Sequence, residues 1–415
     1  MRLASFFPYV YIFAWIFLSF LPYVYYSTKA YIVLLFFLSI SSACYTCYFI
    51  ANYKLIPFFK CLIFFVGLLS VYGLYHLIAG EPVYWQAGEF FVEKNRYLLW
   101  LFVSMLTVIP IYIFTCKGQL NERFMKILFF IMMIAGILAF HVTYQRMLME
   151  AALIESVQEE FTITVVYILL SILPLILLFR KHVVLQFILL VVFFVFFIMS
   201  AKRGVILLGV FCILFMIWGI LSNYSIKKRT ILFLLSMILL GCLYMFTMHQ
   251  LESSSYFAER YQDTLNGYTS QRDVYVATAI EYMNDNYSIR SFLFGIGAQG
   301  SLVANVSFLH NDWIAILLEQ GLVGFLAYLA FWIGFIYTWL RSWKCSRESF
   351  VVIGSLTIIG FGKTFFSMFY LPIVEGVIIA SGFYAIALGY YLGITFPRYS
   401  TAEIRDIKFC RRMME

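Results

Sequence analysis

The sequence predicts an all-α fold, a polytopic bundle of about twelve transmembrane helices. Its composition is the first observation behind this prediction: of 415 residues, 63% are apolar and only 12% are charged, and the mean hydropathy is +0.91. Water solvates such a surface poorly, whereas a helix of roughly 20 apolar residues crosses the hydrocarbon of a bilayer. Runs of that length recur along the chain with short polar segments between them, and this is the second observation.

The apolar runs also give approximate helix positions and a domain plan. The helices are predicted at 6–26, 30–52, 55–79, 97–115, 124–144, 161–179, 183–200, 204–222, 230–249, 314–340, 350–370 and 373–394. The plan comprises an N-terminal transmembrane bundle (1–249), a large loop (250–312), C-terminal transmembrane helices (313–396) and a tail (397–415). The first run follows Arg2 without a small-residue cleavage site, so a retained helix is expected there.

The distribution of basic residues predicts the orientation of the bundle. An even number of crossings places both termini on one side, and the segments on that side hold most of the lysines and arginines. The positive-inside rule assigns this side to the cytoplasm and the loop 250–312 to the outer, periplasmic face. The formal charge of +8 then becomes a signal of topology, so no nucleic-acid partner is expected. None of the eight cysteines falls in an outer segment, and a disulfide framework is not expected.

The loop 250–312 stands out as the functional segment, because it is polar enough to leave the membrane and long enough to fold locally. Apolar residues at helical spacing within 271–284 predict a short helix there. The stretch from Ser291 to Ser301 is punctuated by glycine and is expected to be irregular.

Four cations on the outer side are candidate contacts for a charged substrate. Lys202 and Arg203 lie at a tight turn between two apolar helices, where they act as snorkelling anchors on lipid phosphate or as fixed cations for a phosphorylated substrate. Basic residues are otherwise scarce on this side, which favours the interpretation as fixed cations for a substrate. Arg272 opens the loop helix and Arg290 precedes the glycine-rich stretch; each either faces a cavity or is an ordinary surface arginine.

Other candidates follow at and beyond the end of the loop. His310 and Asn311 lie at the water boundary, where the imidazole is either a general base or an interfacial histidine with a satisfied hydrogen bond. Glu319, Gly321 and Gly324 come next on the same predicted helix, and their expected role is structural: close helix packing and a paired carboxylate. Lys363 lies within an apolar helix, which indicates a polar cavity and a phosphate contact.

Gly295, Gly297 and Gly300 spell G-x-G-x-x-G, a pattern that binds dinucleotides when it joins a strand to a helix. No parallel-strand pattern precedes it, and no acidic residue follows at the required interval. No dinucleotide cofactor is therefore expected.

Several short motifs occur in a fixed order: Ser200-Ala201-Lys202-Arg203-Gly204, Arg272 with its helix, Gly295-Ile296-Gly297, His310-Asn311, and Glu319-Gln320-Gly321-Leu322-Val323-Gly324. In this order and spacing the chain resembles the O-antigen polymerase and ligase family. The resemblance is strongest from about residue 200 to residue 329; elsewhere it rests on the many-helix plan with one large outer loop late in the chain.

The resemblance implies a glycosyltransferase of the GT-C type, inverting and independent of metal or other cofactors. Its substrate would be a polyprenyl-pyrophosphate-linked oligosaccharide at the outer face of the bacterial inner membrane, with membrane lipids and polysaccharide-assembly proteins as further partners. Arg203 and Arg272 would hold the pyrophosphate, while His310 handles the proton of the attacking sugar hydroxyl. Asn311 would position the histidine or the acceptor, and Lys202, Arg290 and Lys363 are further substrate contacts. The structural positions are Gly204, Gly295, Gly297, Glu319, Gly321 and Gly324.

Three functions remain open at this point. A polymerase of O-antigen or capsular polysaccharide moves the glycan onto a lipid-linked acceptor. A ligase delivers it to lipid A core or to a protein by the same donor chemistry. A transporter or flippase is a different class, which twelve helices and an intramembrane Lys363 favour, and which predicts polar groups near the midplane.

Overall fold

The computed structural model describes residues 3–24, 28–79, 97–153, 163, 165–222, 224–253, 258, 262, 266, 272–297, 300–304, 309, 311–366, 369–370 and 375–397. Within these residues the secondary structure is helical and contains no strand, which confirms the predicted all-α class.

The helices follow the apolar runs of the sequence closely. They are α1 (Leu3–Val24), α2 (Thr28–Asn52), α3 (Pro57–Ala79), α4 (Tyr97–Leu101), α5 (Val108–Cys116), α6 (Glu122–Leu153), α7 (Val166–Ile172), α8 (Val183–Met199), α9 (Arg203–Leu221), α10 (Ile226–Ser253), α11 (Arg272–Asn286), α12 (Ile289–Phe294), α13 (Gly300–Val303), α14 (Asp312–Ser342), α15 (Arg347–Phe366) and α16 (Glu375–Thr395). A π-helical turn (Phe102–Leu106) joins α4 to α5, and a 3-10 helix (Leu173–Phe179) continues α7. The helix predicted in the loop is present as α11, whereas the stretch expected to be irregular is partly helical, as α12 and α13.

Eight helices of the described chain are long and apolar enough to cross a membrane. Shorter apolar helices cover 6–20, 166–179 and 183–199. The protein is therefore a multi-helix membrane protein, as its composition predicts.

Helix α16 lies at the centre of the bundle, because 89% of its apolar stretch Ile378–Thr395 is buried. It packs on α5, α7 and α15. Glycines permit the close approach: a Cβ on Gly389 would lie 2.7 Å from the carbonyl oxygen of Val108, and one on Gly393 would lie 2.6 Å from the Cβ of Thr115.

One end of the bundle gathers basic side chains and is here named the basic end. Arg180, after the 3-10 helix, donates to Glu348 of α15 over 3.0 Å and to Glu122 of α6 over 3.4 Å, so three helix ends meet there. Further exposed cations lie in segments at this end, namely Lys181, Arg229, Arg341, Lys344 and Arg347. The opposite end, where α8 turns into α9 and α15 ends, is named the site end.

Helix α14 is not one straight helix. Gly321 has φ 64° and ψ −162°, which interrupts the helix. The Tyr328 hydroxyl nevertheless reaches the Asp312 carboxylate at 2.9 Å, although sixteen residues of a continuous helix would span about 24 Å. The first half, 312–320, therefore folds back along the start of the second half, 322–342. The prediction of an uninterrupted helix over 314–340 is wrong at this glycine, because hydropathy reports burial and carries no signal for a backbone reversal.

Candidate functional site

The fold-back of α14 depends on a second backbone segment that packs against Gly321. Gly295 has φ 71° and follows α12 directly. A Cβ on Gly321 would lie 2.5 Å from the Gly295 amide nitrogen, and a Cβ on Gly295 would lie 2.5 Å from the Gln320 amide nitrogen. Two glycines with positive φ thus meet backbone to backbone, in a contact that any side chain would block.

A helix that stops inside a bundle leaves carbonyl groups without their usual partners. Here the freed carbonyls accept from outside the helix. The Ile296 amide donates to the Leu318 oxygen over 3.1 Å and the Gly297 amide to the Glu319 oxygen over 2.9 Å. Two phenols complete the set: Tyr287 donates to the Leu318 oxygen over 2.7 Å, and Tyr72 of α3 donates to the Gln320 oxygen over 3.1 Å. The glycine-rich motif therefore serves the helix break.

Burial raises the pKa of the Tyr287 phenol well above its ordinary value of 10.0, with a further contribution from nearby Tyr282 and Glu319. The phenol therefore stays protonated at physiological pH, and its hydrogen bond to the Leu318 oxygen persists.

Asp312, the first residue of α14, is fully buried at the inner end of the fold-back. Its Oδ2 accepts from the Tyr328 hydroxyl at 2.9 Å and from the amides of Phe369 and Tyr370 at 2.9 and 3.4 Å. Its Oδ1 has no hydrogen-bond partner among the described residues. Asp312 thus fastens the segment after α15 to the start of α14 and retains one open acceptor. Ser104 of the π-helical turn supports that segment by donating to the Tyr370 oxygen over 3.2 Å.

Two lysines that are distant in sequence converge on the ring of Tyr167 in α7. The Lys202 ammonium lies 5.8 Å from the ring centroid and the Lys363 ammonium 5.2 Å from it. Both lysines are buried, at 8% and 2% exposure, and the charge of Lys363 also interacts with that of Asp312. Two buried lysines on one ring, with the Asp312 carboxyl near one of them, form a polar cluster inside the apolar bundle.

Arg203 is half-buried and begins α9, directly after Lys202. The turn before it contains Ala201 at φ 52°, and no side chain caps the helix. A Cβ on Gly204 would lie 2.8 Å from the Cβ of Phe366 and 3.5 Å from the Tyr167 hydroxyl, so the start of α9 packs against the end of α15. Trp313 of α14 joins the same group through a 2.8 Å hydrogen bond from its indole nitrogen to Thr364.

Glu319 is buried beside the break and is well supplied with donors. Its Oε1 accepts from the Ser301 hydroxyl at 3.0 Å, and its Oε2 accepts from Gln320 and the Tyr370 hydroxyl, each at 3.3 Å. Because Tyr370 also donates its amide to Asp312, one residue connects the two carboxylates of the half-helix.

The remaining predicted residues lie around this group. The Asn311 side chain caps α14 by accepting from the amides of Trp313 and Ile314 at 3.0 and 3.3 Å. Arg272 begins α11 and is half-buried, and its Nε has no hydrogen-bond partner in the described part of the chain. Arg290 is exposed on α12. Gly324 packs beside Gln320 and Ile316 in the fold-back. His310 lies outside the described residues.

The structure thus brings Lys202, Arg203, Gly204 and Lys363 together, and separately joins Gly295 and Gly297 to Glu319 and Gly321. Sequence reasoning missed Asp312, Tyr167, Tyr328 and Tyr370. Asp312 carried a usable signal, because an acidic residue at the start of an apolar helix is costly unless it has partners. The tyrosines carried none, since thirty-one tyrosines occur in the chain.

Among the residues described, no group of three or more histidine, cysteine or acidic side chains is placed to hold a metal ion. No protein-family model matches the chain, and a search of curated proteins gives no match either.

Proposed function

We propose that this chain is a polymerase of O-antigen or capsular polysaccharide, a membrane glycosyltransferase that moves a glycan from a polyprenyl diphosphate onto a lipid-linked acceptor sugar. The observation that carries the proposal is the convergence of Lys202 and Lys363 on Tyr167, with Arg203 beside them at the start of α9. The choice of a glycan as the substrate follows from the resemblance that the ordered motifs carry. In this proposal twelve crossings place both termini in the cytoplasm and the site end at the outer face of the inner membrane.

A diphosphate suits this cluster on electrostatic grounds. It carries negative charge on both phosphoryl groups, and cationic side chains at the edge of a low-dielectric bundle attract such a group strongly. Lysine binds phosphate as a point charge and arginine binds it through paired N–H groups. The polyprenyl tail needs hydrocarbon, and the cluster lies at the end of apolar helices, where the headgroup and the tail are both accommodated.

The proposed reaction is a displacement at the anomeric carbon of the donor sugar. The acceptor hydroxyl oxygen forms the new bond to that carbon, the bond from the carbon to the diphosphate oxygen breaks, and the diphosphate leaves with the electron pair. His310 takes the hydroxyl proton. Arg203 and Arg272, with Lys202 and Lys363, stabilise the charge that develops on the leaving diphosphate, an effect worth on the order of 10²–10³-fold per donor removed.

Purified protein in detergent, supplied with a defined lipid-linked repeat, provides the test. We expect polymer from the native chain, and much shorter or no polymer from Arg203→Ala, Arg272→Ala and His310→Ala at equal protein. Arg341→Ala is the matched control, because it removes an exposed guanidinium in the segment at the basic end. Unchanged polymer length in all three site variants would contradict the proposed mechanism.

The broken α14 favours a second candidate, a transporter or flippase of the lipid-linked glycan. Transporters commonly place half-helices and intramembrane charges at their substrate sites. This chain has a helix broken at Gly321 and buried ionisable side chains at Asp312 and Lys363. Formation of glycosidic bonds in detergent, where no second compartment exists, excludes transport as the whole activity. Movement of the lipid-linked repeat across proteoliposomes without any bond formation supports transport and overturns the polymerase.

A further inference from the structure

Helix α12 presents apolar side chains to its surroundings although it lies in the loop region. Four of its six residues are large apolar residues with high exposure: Ile289 83%, Phe292 52%, Leu293 36% and Phe294 49%. Contact of such a cluster with water is unfavourable in proportion to the apolar surface exposed. The exposed face of α12 therefore calls for an apolar surrounding.

The depth of α12 in the bundle follows from its contacts. Gly295, which ends the helix, packs on Gly321 at the break of α14, and the run from Leu322 to Leu340 beyond the break is apolar. The break also contacts α3: the Tyr72 hydroxyl donates to the Gln320 oxygen. Tyr72 lies near the end of the apolar stretch Pro57–Tyr75, which is long enough to cross a membrane. The break, and α12 with it, therefore lies level with the outer part of two membrane-spanning helices.

The polar residues of α12 suit the boundary of a bilayer. Ser288 caps the helix by accepting from the Ser291 amide at 3.1 Å, which satisfies a backbone donor that hydrocarbon would leave unpaired. Arg290 is exposed within the same turn and offers a guanidinium at headgroup level. Phenylalanines on one helix together with an exposed arginine are typical of a helix that lies in the membrane interface.

Helix α14 supplies the neighbouring lipid-facing surface. It packs directly on α12, and below the break it exposes Leu326, Leu329 and Ile333 at 52%, 37% and 59%. These residues lie in the membrane-spanning half, where acyl chains are their natural surrounding.

We propose that α12 is an interfacial helix embedded in the lipid leaflet at the site end, with Phe292 and Phe294 against acyl chains and Arg290 at the lipid phosphates. The lipid then holds the segment 293–297 against the Gly321 break, whose carbonyls that segment satisfies. This inference rests on α12, α14 and the contact of α3 with the break, and it stands whichever function the chain performs.

Spin labels at single positions test the inference in vesicles of phosphatidylethanolamine and phosphatidylglycerol. Phe292→Cys and Ile289→Cys carry the label in a background whose native cysteines are replaced by serine, retained only if its elution and Tm match the native chain. Leu326→Cys gives the lipid reference and Asp285→Cys, on exposed α11 surface, gives the water reference. The readout is collision with oxygen, which concentrates in lipid, and with a nickel chelate, which stays in water.

We expect Phe292 to resemble Leu326, with high oxygen and low nickel accessibility. High nickel accessibility at Phe292, as at Asp285, overturns the inference because it places α12 in water. Low accessibility to both reagents also overturns it, because another protein surface then covers the helix. Ile289, the most exposed of the four side chains, gives the same three outcomes if Phe292→Cys fails to fold.

Discussion

The hydroxyl of Tyr328 donates to the carboxylate of Asp312 over 2.9 Å, across sixteen residues of what hydropathy presents as one helix. This hydrogen bond closes the fold-back of α14. It places the buried carboxylate beside the end of α15, where Lys363 and Thr364 lie. The fold-back therefore connects the lysine cluster to the broken helix through Asp312.

Gly321→Ala is expected to destabilise the protein strongly. Alanine at φ 64° costs about 1–3 kcal/mol from backbone strain alone, and its Cβ would overlap the backbone of Leu293 and Gly295. Thermal unfolding followed by tryptophan fluorescence measures the effect. Gly67→Ala in α3 is the control, since a Cβ there meets nothing within 4 Å and alanine favours a helix. Equal Tm values for both variants would show that the break does not depend on Gly321.

Lys363→Met and Asp312→Asn are each expected to cost about 0.5–3 kcal/mol, because each removes one of two buried groups whose opposite charges interact. The double variant removes both charges and is expected to be less destabilised than the sum of the single variants. Unfolding free energies of the four proteins give the coupling energy. Additive costs would mean that the two charges do not stabilise each other.

Tyr287→Phe removes the donor to the Leu318 oxygen and is expected to cost about 0.5–1.5 kcal/mol. Tyr282→Phe on the neighbouring turn of α11 is the control, with a smaller expected cost. Burial raises the pKa of Tyr287 above its unfolded value, so its contribution is complete below pH about 10 and declines as pH rises through the folded pKa. A difference between Tyr287→Phe and the native chain that grows above pH 10 would contradict this assignment.

Arg180→Ala at the basic end is expected to cost at most about 1 kcal/mol, because the guanidinium is largely exposed and solvent screens its bonds to Glu348 and Glu122. Glu348 retains the Tyr391 hydroxyl as a donor at 3.2 Å. We also expect no loss of glycan transfer, since the proposed site lies at the opposite end. Lost transfer with an unchanged Tm would place part of the active site at the basic end.

The candidate site was only partly readable from the sequence. Lys202, Arg203 and Lys363 were identifiable because a charge at or within an apolar helix is energetically costly and usually has a function. Their common partner Tyr167 was not, since nothing local marks one tyrosine among many. No strand pattern precedes the G-x-G-x-x-G motif, which argued against dinucleotide binding. The contact of its first glycine with Gly321 joins residues 26 positions apart, and no sequence periodicity indicates such a pairing.

The sequence by itself determined the all-α class, the course of the apolar helices and the concentration of basic residues in particular turns. Each of these properties can be read from a local stretch of sequence, because it depends on how readily the residues of that stretch transfer from water into hydrocarbon. Only the tertiary structure decided that α14 reverses at Gly321 and that Lys202 meets Lys363. A helix break survives in an apolar bundle only where distant groups satisfy its freed carbonyls, and those groups, Tyr72, Ile296 and Gly297, are brought there by packing.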